Sequence, residues 1–73
     1  MKDKSMISPR EIVKRYKISY QTINSYTNLG LLVVRRKEGN GRLYNNQEVK
    51  QRLDKIAKFK NRGYPLRLIK NML

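Results

Sequence analysis

A helix-length segment over residues 19–30 is almost entirely polar. Its few apolar or aromatic residues recur at every third position: Tyr20, Ile23, Tyr26 and Leu29. Because residues three or four apart share one face of a helix, this spacing predicts a single narrow apolar stripe. A helix of this kind can rest on a core along one side while it presents its remaining surface to a polar partner.

Local capping signals set the boundaries of the first two helices. Ser8, Pro9 and Glu11 have the spacing of a capping box with proline at the first helical position. Ser19 can cap the second helix, and Gly30 suits the left-handed position that follows its last turn. Two short helices joined by about three residues, the second polar on its outer face, are typical of a helix-turn-helix.

A basic β-hairpin is predicted over residues 32–44. An apolar, β-branched run leads into a turn cluster that contains Gly39 and Gly41, and the chain then returns as a second short strand. The tip is surrounded by basic residues: Arg35, Arg36, Lys37 and Arg42. Such a tip can lie along a phosphate backbone or enter a minor groove, where arginine is favoured. The alternative is an edge hairpin that its charges keep soluble.

Two further helices are predicted after the hairpin. Asn45 can cap the third helix, with Glu48 at the reciprocal capping position. This helix carries a core-facing stripe at helical spacing: Val49, Leu53, Ile56 and Phe59. Gly63 ends the third helix and Pro65 begins the fourth.

The length of 73 residues fits one domain. The predicted fold class is mostly α with a small β-hairpin, namely a winged helix-turn-helix made of a helix-turn-helix, a two-stranded wing and two further helices. We expect residues 8–73 to form this domain and residues 1–7 to form a flexible N-terminal arm.

Charge indicates the class of partner. Lys and Arg number 18 against five acidic residues, which gives a formal net charge of +13. A field of this sign attracts polyanions. No apolar run approaches the roughly 20 residues of a membrane span, and the first residues do not form a secretory signal, so we expect no membrane partner and a cytoplasmic location. Sequence-specific RNA recognition needs exposed aromatic residues for stacking, and most of the aromatic residues here occupy core-like positions, which favours duplex DNA over RNA.

The composition argues against catalysis. The chain has no Cys and no His, so the commonest nucleophile, general base and metal ligands are missing. The five acidic residues are scattered along the sequence. The sequence therefore predicts a protein that is not an enzyme, with no metal site and no cofactor.

The outer face of the second helix supplies candidate base contacts. The major groove of B-DNA admits an α-helix and displays donors and acceptors that Gln, Asn, Ser and Thr can pair with. The N-terminal residues of a recognition helix do most of the reading. The candidates are therefore Ser19, Tyr20, Gln21 and Thr22, with Asn24 and Ser25 one turn further on. The alternative, an ordinary solvated helix face, is less favoured beside a basic hairpin in a chain of this charge.

Over residues 6–73 the order of elements resembles the winged DNA-binding domain of the MerR family of bacterial transcription regulators. Two pieces are specific in combination, namely residues 28–32 (NLGLL) and Arg42-Leu43-Tyr44 (RLY). Further matching pieces are Ile18-Ser19, Thr22-Ile23, Tyr26-Thr27, residues 45–49, residues 59–66 and Ile69.

The resemblance implies duplex-DNA binding, with the second helix in the major groove and the wing along the flanking backbone or in the minor groove. It places Tyr20, Gln21, Thr22 and Tyr26 in the recognition helix and makes Arg42 the wing arginine. Members usually bind inverted repeats as dimers, so a homodimer is expected, formed through a region that lies outside these residues.

The sequence departs from the family pattern at two places. Asn24-Ser25-Tyr26 stand where members often have Arg-Tyr-Tyr, so we expect an arginine–phosphate contact to be lost at Asn24. The wing tip also lacks the usual aromatic residue just before Arg42.

The predicted function is sequence-specific duplex-DNA binding by a bacterial transcription regulator that acts at the nucleoid. The alternative is an architectural, excisionase-like protein that bends DNA in recombination or segregation, since small proteins of that kind share the winged fold.

Overall fold

The computed structural model describes residues 5–39 and 41–73. In chain order the elements are β1 (Met6–Ile7), α1 (Pro9–Tyr16), α2 (Tyr20–Asn28), β2 (Val34–Glu38), β3 (Gly41–Asn45), α3 (Asn46–Asn61) and α4 (Leu66–Met72). The predicted fold class is confirmed, because helices dominate and β2 and β3 form a small wing. The predicted turn between them includes Asn40, which lies outside the described residues.

The helix-turn-helix begins and ends where the capping signals predict. Glu11 N donates to Ser8 Oγ (3.3 Å) and Ser8 N donates to a Glu11 carboxylate oxygen (3.4 Å), which completes the capping box of α1. Ser19 Oγ caps α2 by accepting a hydrogen bond from Thr22 N (3.0 Å). Gly30, at φ +81°, adopts the left-handed conformation that directs the chain away from α2.

The prediction of a flexible arm over residues 1–7 is wrong for Met6 and Ile7. Met6–Ile7 form β1, which pairs antiparallel with β3, and Ile7 is only 1% exposed. A two-residue strand is too short to show an alternating pattern, so no local sequence signal predicts it. Residues 1–4 lie outside the described part of the chain.

Within residues 5–39 and 41–73 the sheet has three strands in the order β1-β3-β2, one more than the predicted two-stranded wing. Its register shifts by one residue at Arg35: Val34 pairs with Tyr44, whereas Arg36 pairs with Leu43 and Lys37 with Arg42. Cross-strand partners share one face of a sheet, so this bulge puts Lys37, rather than Arg36, beside Arg42.

Among the described residues, one core joins the sheet to helices α1 to α4. Its buried members are Ile7, Ile12, Ile23, Tyr26, Leu31, Leu32, Tyr44, Val49, Ile56 and Ile69. Only Ile23 and Tyr26 come from α2, which confirms the narrow stripe. Truncating a buried isoleucine to alanine typically costs about 2–5 kcal/mol. Ile23 therefore contributes a large part of the free energy that docks α2.

The third helix begins at its predicted cap, but not by a reciprocal capping box. Asn45 Oδ1 accepts a hydrogen bond from Glu48 N (2.9 Å), as predicted. The Glu48 carboxylate does not return to Asn45; it pairs with Arg35 on β2. Charge attraction to a guanidinium outweighs a hydrogen bond from a neutral backbone N–H. Glu48 thus links the wing to α3.

Candidate nucleic-acid interface

The exposed face of α2 carries most of the predicted base contacts. Tyr20 is 54% exposed, Gln21 and Ser25 are exposed, and Asn24 is half-buried. Within the described part of the chain, the Gln21 side chain makes no hydrogen bond, so its amide is free to pair with another molecule. The Ser19 and Thr22 hydroxyls lie 2.7 Å apart and serve the helix cap.

Tyr26 does not belong to this face. The resemblance placed it among the DNA contacts, but its side chain is only 8% exposed and packs in the core. The threefold spacing that puts Ile23 inward also puts Tyr26 inward, three residues later. Tyr26 therefore anchors α2 to the core and offers little surface to a partner.

Arg42 on β3 connects the wing to α2. Its Nη2 donates hydrogen bonds to Asn24 Oδ1 (2.6 Å) and to the Tyr20 hydroxyl (3.3 Å). Its guanidinium carbon lies 5.9 Å from the ring centroids of both Tyr20 and Tyr44, within the range of a cation–π contact. The structure thus brings the predicted wing arginine together with two predicted helix contacts. We call Arg42, Asn24 and Tyr20 the Arg42 cluster.

The other three basic residues of the wing differ in their partners. Arg35 Nε and Nη2 donate to the two carboxylate oxygens of Glu48 (3.1 and 2.5 Å). Arg36 Nη2 lies 3.4 Å from a Glu38 oxygen, and both side chains are exposed. Lys37 is exposed and has no ion pair with a described residue. The four arginines and lysines that look equivalent in the sequence therefore carry different amounts of unneutralised charge.

The Arg35–Glu48 pair changes the pKa of both groups. The hydrogen bond from Arg35 holds the pKa of the Glu48 carboxyl below its ordinary value, burial opposes this effect, and the charges of Arg35 and Arg52 add to it. The same hydrogen bond raises the pKa of Arg35. Because its charge is balanced by a carboxylate on α3, Arg35 acts as a structural link between β2 and α3.

Two residues near α2 were missed by the sequence analysis. Thr27 bonds α2 to β3, because its hydroxyl lies 2.8 Å from the Tyr44 hydroxyl. Lys60, an exposed residue of α3, lines a groove of about 330 Å³ together with Gln21 and Ser25. No local pattern marks either residue, because the Thr27–Tyr44 contact and the position of Lys60 both depend on how other elements pack around α2.

Comparison with known proteins gives one match. The family model described as MerR HTH family regulatory protein matches residues 7–73, nearly the whole chain. Searches of curated proteins and of solved structures found no match. Among the described residues, no helix has both the length and the apolar character needed to cross a membrane. Because this match covers both the helix-turn-helix and the wing, the chain belongs to the MerR family of helix-turn-helix regulatory proteins.

Proposed function

We propose that this domain binds duplex DNA in a sequence-specific manner as part of a bacterial transcription regulator, with α2 in the major groove and the wing on the flanking backbone or in the minor groove. Membership of a DNA-binding regulatory family supports the general activity. The observation that carries the finer proposal is the Arg42 cluster, since it places a cation of the wing directly beside the exposed face of α2.

Gln21 is the proposed base reader. It is exposed in the first turn of α2, where recognition helices contact base edges, and its amide is free of partners among the described residues. A glutamine amide can pair with N6 and N7 of adenine through two hydrogen bonds. Ser25, one turn further on, is exposed on the same side and can donate or accept a single hydrogen bond.

Phosphate contacts are assigned to the cations that lie near this face. Arg42 adjoins α2, Lys37 lies opposite Arg42 on the wing, and Lys60 lines the groove beside Gln21. Arg36 is exposed but shares its charge with Glu38. Arg35 is left out, because both of its bonded nitrogens are occupied by Glu48.

Selection from a random duplex-DNA pool tests the proposal. An enriched motif would support sequence reading, and paired inverted half-sites would indicate a dimeric regulator. Head-to-tail repeats would instead favour the architectural, excisionase-like function. Salt-sensitive binding without any enriched motif would contradict the specific-regulator proposal.

The Gln21→Ala variant tests the reader in the same assay. If Gln21 makes a bidentate contact, the preference at one base position should fall by about 1–3 kcal/mol while the other positions keep theirs. Gln51→Ala is the matched control, because Gln51 is an exposed glutamine on α3, outside the proposed interface. An unchanged motif in the Gln21 variant would remove Gln21 from the readout.

A further inference from the structure

The Arg42 guanidinium is held on one side by α2. The Asn24 side-chain oxygen and the Tyr20 hydroxyl both accept hydrogen bonds from Nη2. Nε and Nη1 donate no hydrogen bond to any described residue. An arginine has five N–H donors, of which Nη2 carries two. Three donors therefore stay available to a further acceptor while the guanidinium is fixed in place.

Asn24 is correspondingly restricted. Arginine only donates hydrogen bonds, so the amide of Asn24 must turn its oxygen toward Arg42. Reading adenine through two hydrogen bonds requires an asparagine to accept from N6 with that same oxygen. To read adenine in this way, Asn24 would have to share that oxygen between the base and Arg42, or give up its charge-assisted contact of 2.6 Å with Arg42.

The strand register of the wing gives a second reason for the contact between Arg42 and Asn24. Lys37 is the cross-strand partner of Arg42, and two like charges directly opposite each other are destabilising. Asn24 Oδ1, the Tyr20 hydroxyl and two aromatic rings give the Arg42 guanidinium compensating partners on the side that faces α2. The two cations are thus kept together at the junction of wing and helix, where a phosphate would neutralise both.

We propose that Asn24 is a positioning residue, which fixes the Arg42 guanidinium against α2 so that its free N–H groups meet a DNA phosphate, and that Asn24 does not read bases. The inference rests on the proposed function and replaces the prediction that Asn24 contacts base edges. Tyr20 has a supporting role, because its ring covers the guanidinium and its hydroxyl proton stays available for a phosphate oxygen.

A double-mutant cycle on duplex-DNA affinity tests this inference, with the wild type, Asn24→Ala, Arg42→Ala and the double variant. Each single variant should weaken binding about tenfold, as expected for loss of one charge-assisted contact, and the double variant should be no weaker than Arg42→Ala. Alanine favours helix, so Asn24→Ala should keep α2 folded, which circular dichroism checks. Asn24→Leu, whose side chain also branches at Cγ but has no acceptor, repeats the test.

The salt dependence gives a readout that a purely structural role would not move. Arg42→Ala should lower the slope of log affinity against log salt by about 0.9, the value for one phosphate contact. Asn24→Ala should lower the slope in the same direction although it removes no charge. Asn28→Ala is the matched control, since it makes the same change on the same helix away from Arg42; its effect should add to that of Arg42→Ala.

The outcomes separate the inference from the function it rests on. A non-additive cycle, a reduced slope for Asn24→Ala and an unchanged selected motif would support the positioning role. Additive losses, or a changed base preference in Asn24→Ala, would overturn it while leaving DNA binding intact. No binding by the wild type would contradict the proposed function itself.

Discussion

Thr27 illustrates how one residue on α2 can secure the helix to the sheet. Its hydroxyl donates to the Ile23 carbonyl (2.7 Å) and lies 2.8 Å from the hydroxyl of Tyr44, which is fully buried. A threonine hydroxyl has only one proton, and that proton is used by Ile23. Tyr44 must therefore donate to Thr27, and Thr27 is the partner that satisfies the buried phenol.

Because Tyr44 donates and Thr27 accepts, substitutions of the two residues should have unequal effects on stability. Tyr44→Phe removes the donor and leaves Thr27 bonded to Ile23, so it should cost about 0.5–1.5 kcal/mol of unfolding free energy. Thr27→Val leaves a buried hydroxyl without its acceptor and should cost about 1–3 kcal/mol. Denaturant unfolding of both variants measures the difference, and the double variant should cost less than the sum. Equal costs, or additive ones, would contradict the assigned direction.

At the residue scale the sequence predicts which side chains are exposed better than it predicts their partners. Periodicity placed Ile23 inward and Gln21 outward, because the face of a helix follows from spacing alone. Arg35 and Arg42 were equivalent as basic residues of the wing, yet one pairs with Glu48 and the other with Asn24. Those partners come from other elements, so no local pattern contains them.

At the scale of elements, the helix boundaries were predictable because capping is local. Ser8 and Glu11 interact across three residues, and Gly30 ends α2 through its own φ. The strand β1 and the bulge at Arg35 were not predictable. β1 exists because Ile7 pairs with Tyr44, far along the chain, and the bulge is a property of two strands together.

The contact between β2 and α3 predicts a pH dependence of stability. The pKa of Glu48 is lower in the folded chain than its ordinary value of 4.5, with the Arg35 hydrogen bond as the main cause. The stabilisation is therefore fully present above pH 4.5 and is lost as the pH falls through the lower folded value. Glu48→Gln should lower the thermal midpoint at pH 7, and the difference from wild type should shrink in acid.

Glu38→Gln provides the control for this measurement. Its pair with Arg36 is exposed on both sides and longer, at 3.4 Å, so its removal should change the midpoint little at any pH. Thermal melts of the three proteins from pH 3 to pH 7 make the comparison. A Glu48→Gln deficit that stays constant over this range would show that the carboxylate does not stabilise the fold through its charge.

At the scale of the whole molecule, the charge and the architecture have to be considered together. The formal charge of +13 attracts DNA from any direction and says nothing about orientation. The two ion pairs among the described residues both lie on the wing side, on Arg35 and Arg36. Lys37 and Arg42, which lie on the part of the wing next to α2, form no ion pair with a described acidic residue. On the proposed function, we expect the orientation of bound DNA to follow from where the charge is left unneutralised, and the total charge to set the rate of encounter.

Two lysine variants separate these contributions, because each lowers the formal charge by the same single unit. Lys37 lies opposite Arg42 on the wing, whereas Lys58 is exposed on α3, outside the proposed interface. If Lys37 contacts a phosphate, Lys37→Ala should lower the slope of log affinity against log salt by about 0.9 and weaken binding to all sequences alike. Lys58→Ala should leave the slope close to that of wild type.

Titrations of one duplex over a range of salt concentrations give the slopes of the wild type and of both variants. Equal slopes for the two variants would mean that the wing contributes only to the overall field, and that its basic residues make no defined contact with the backbone.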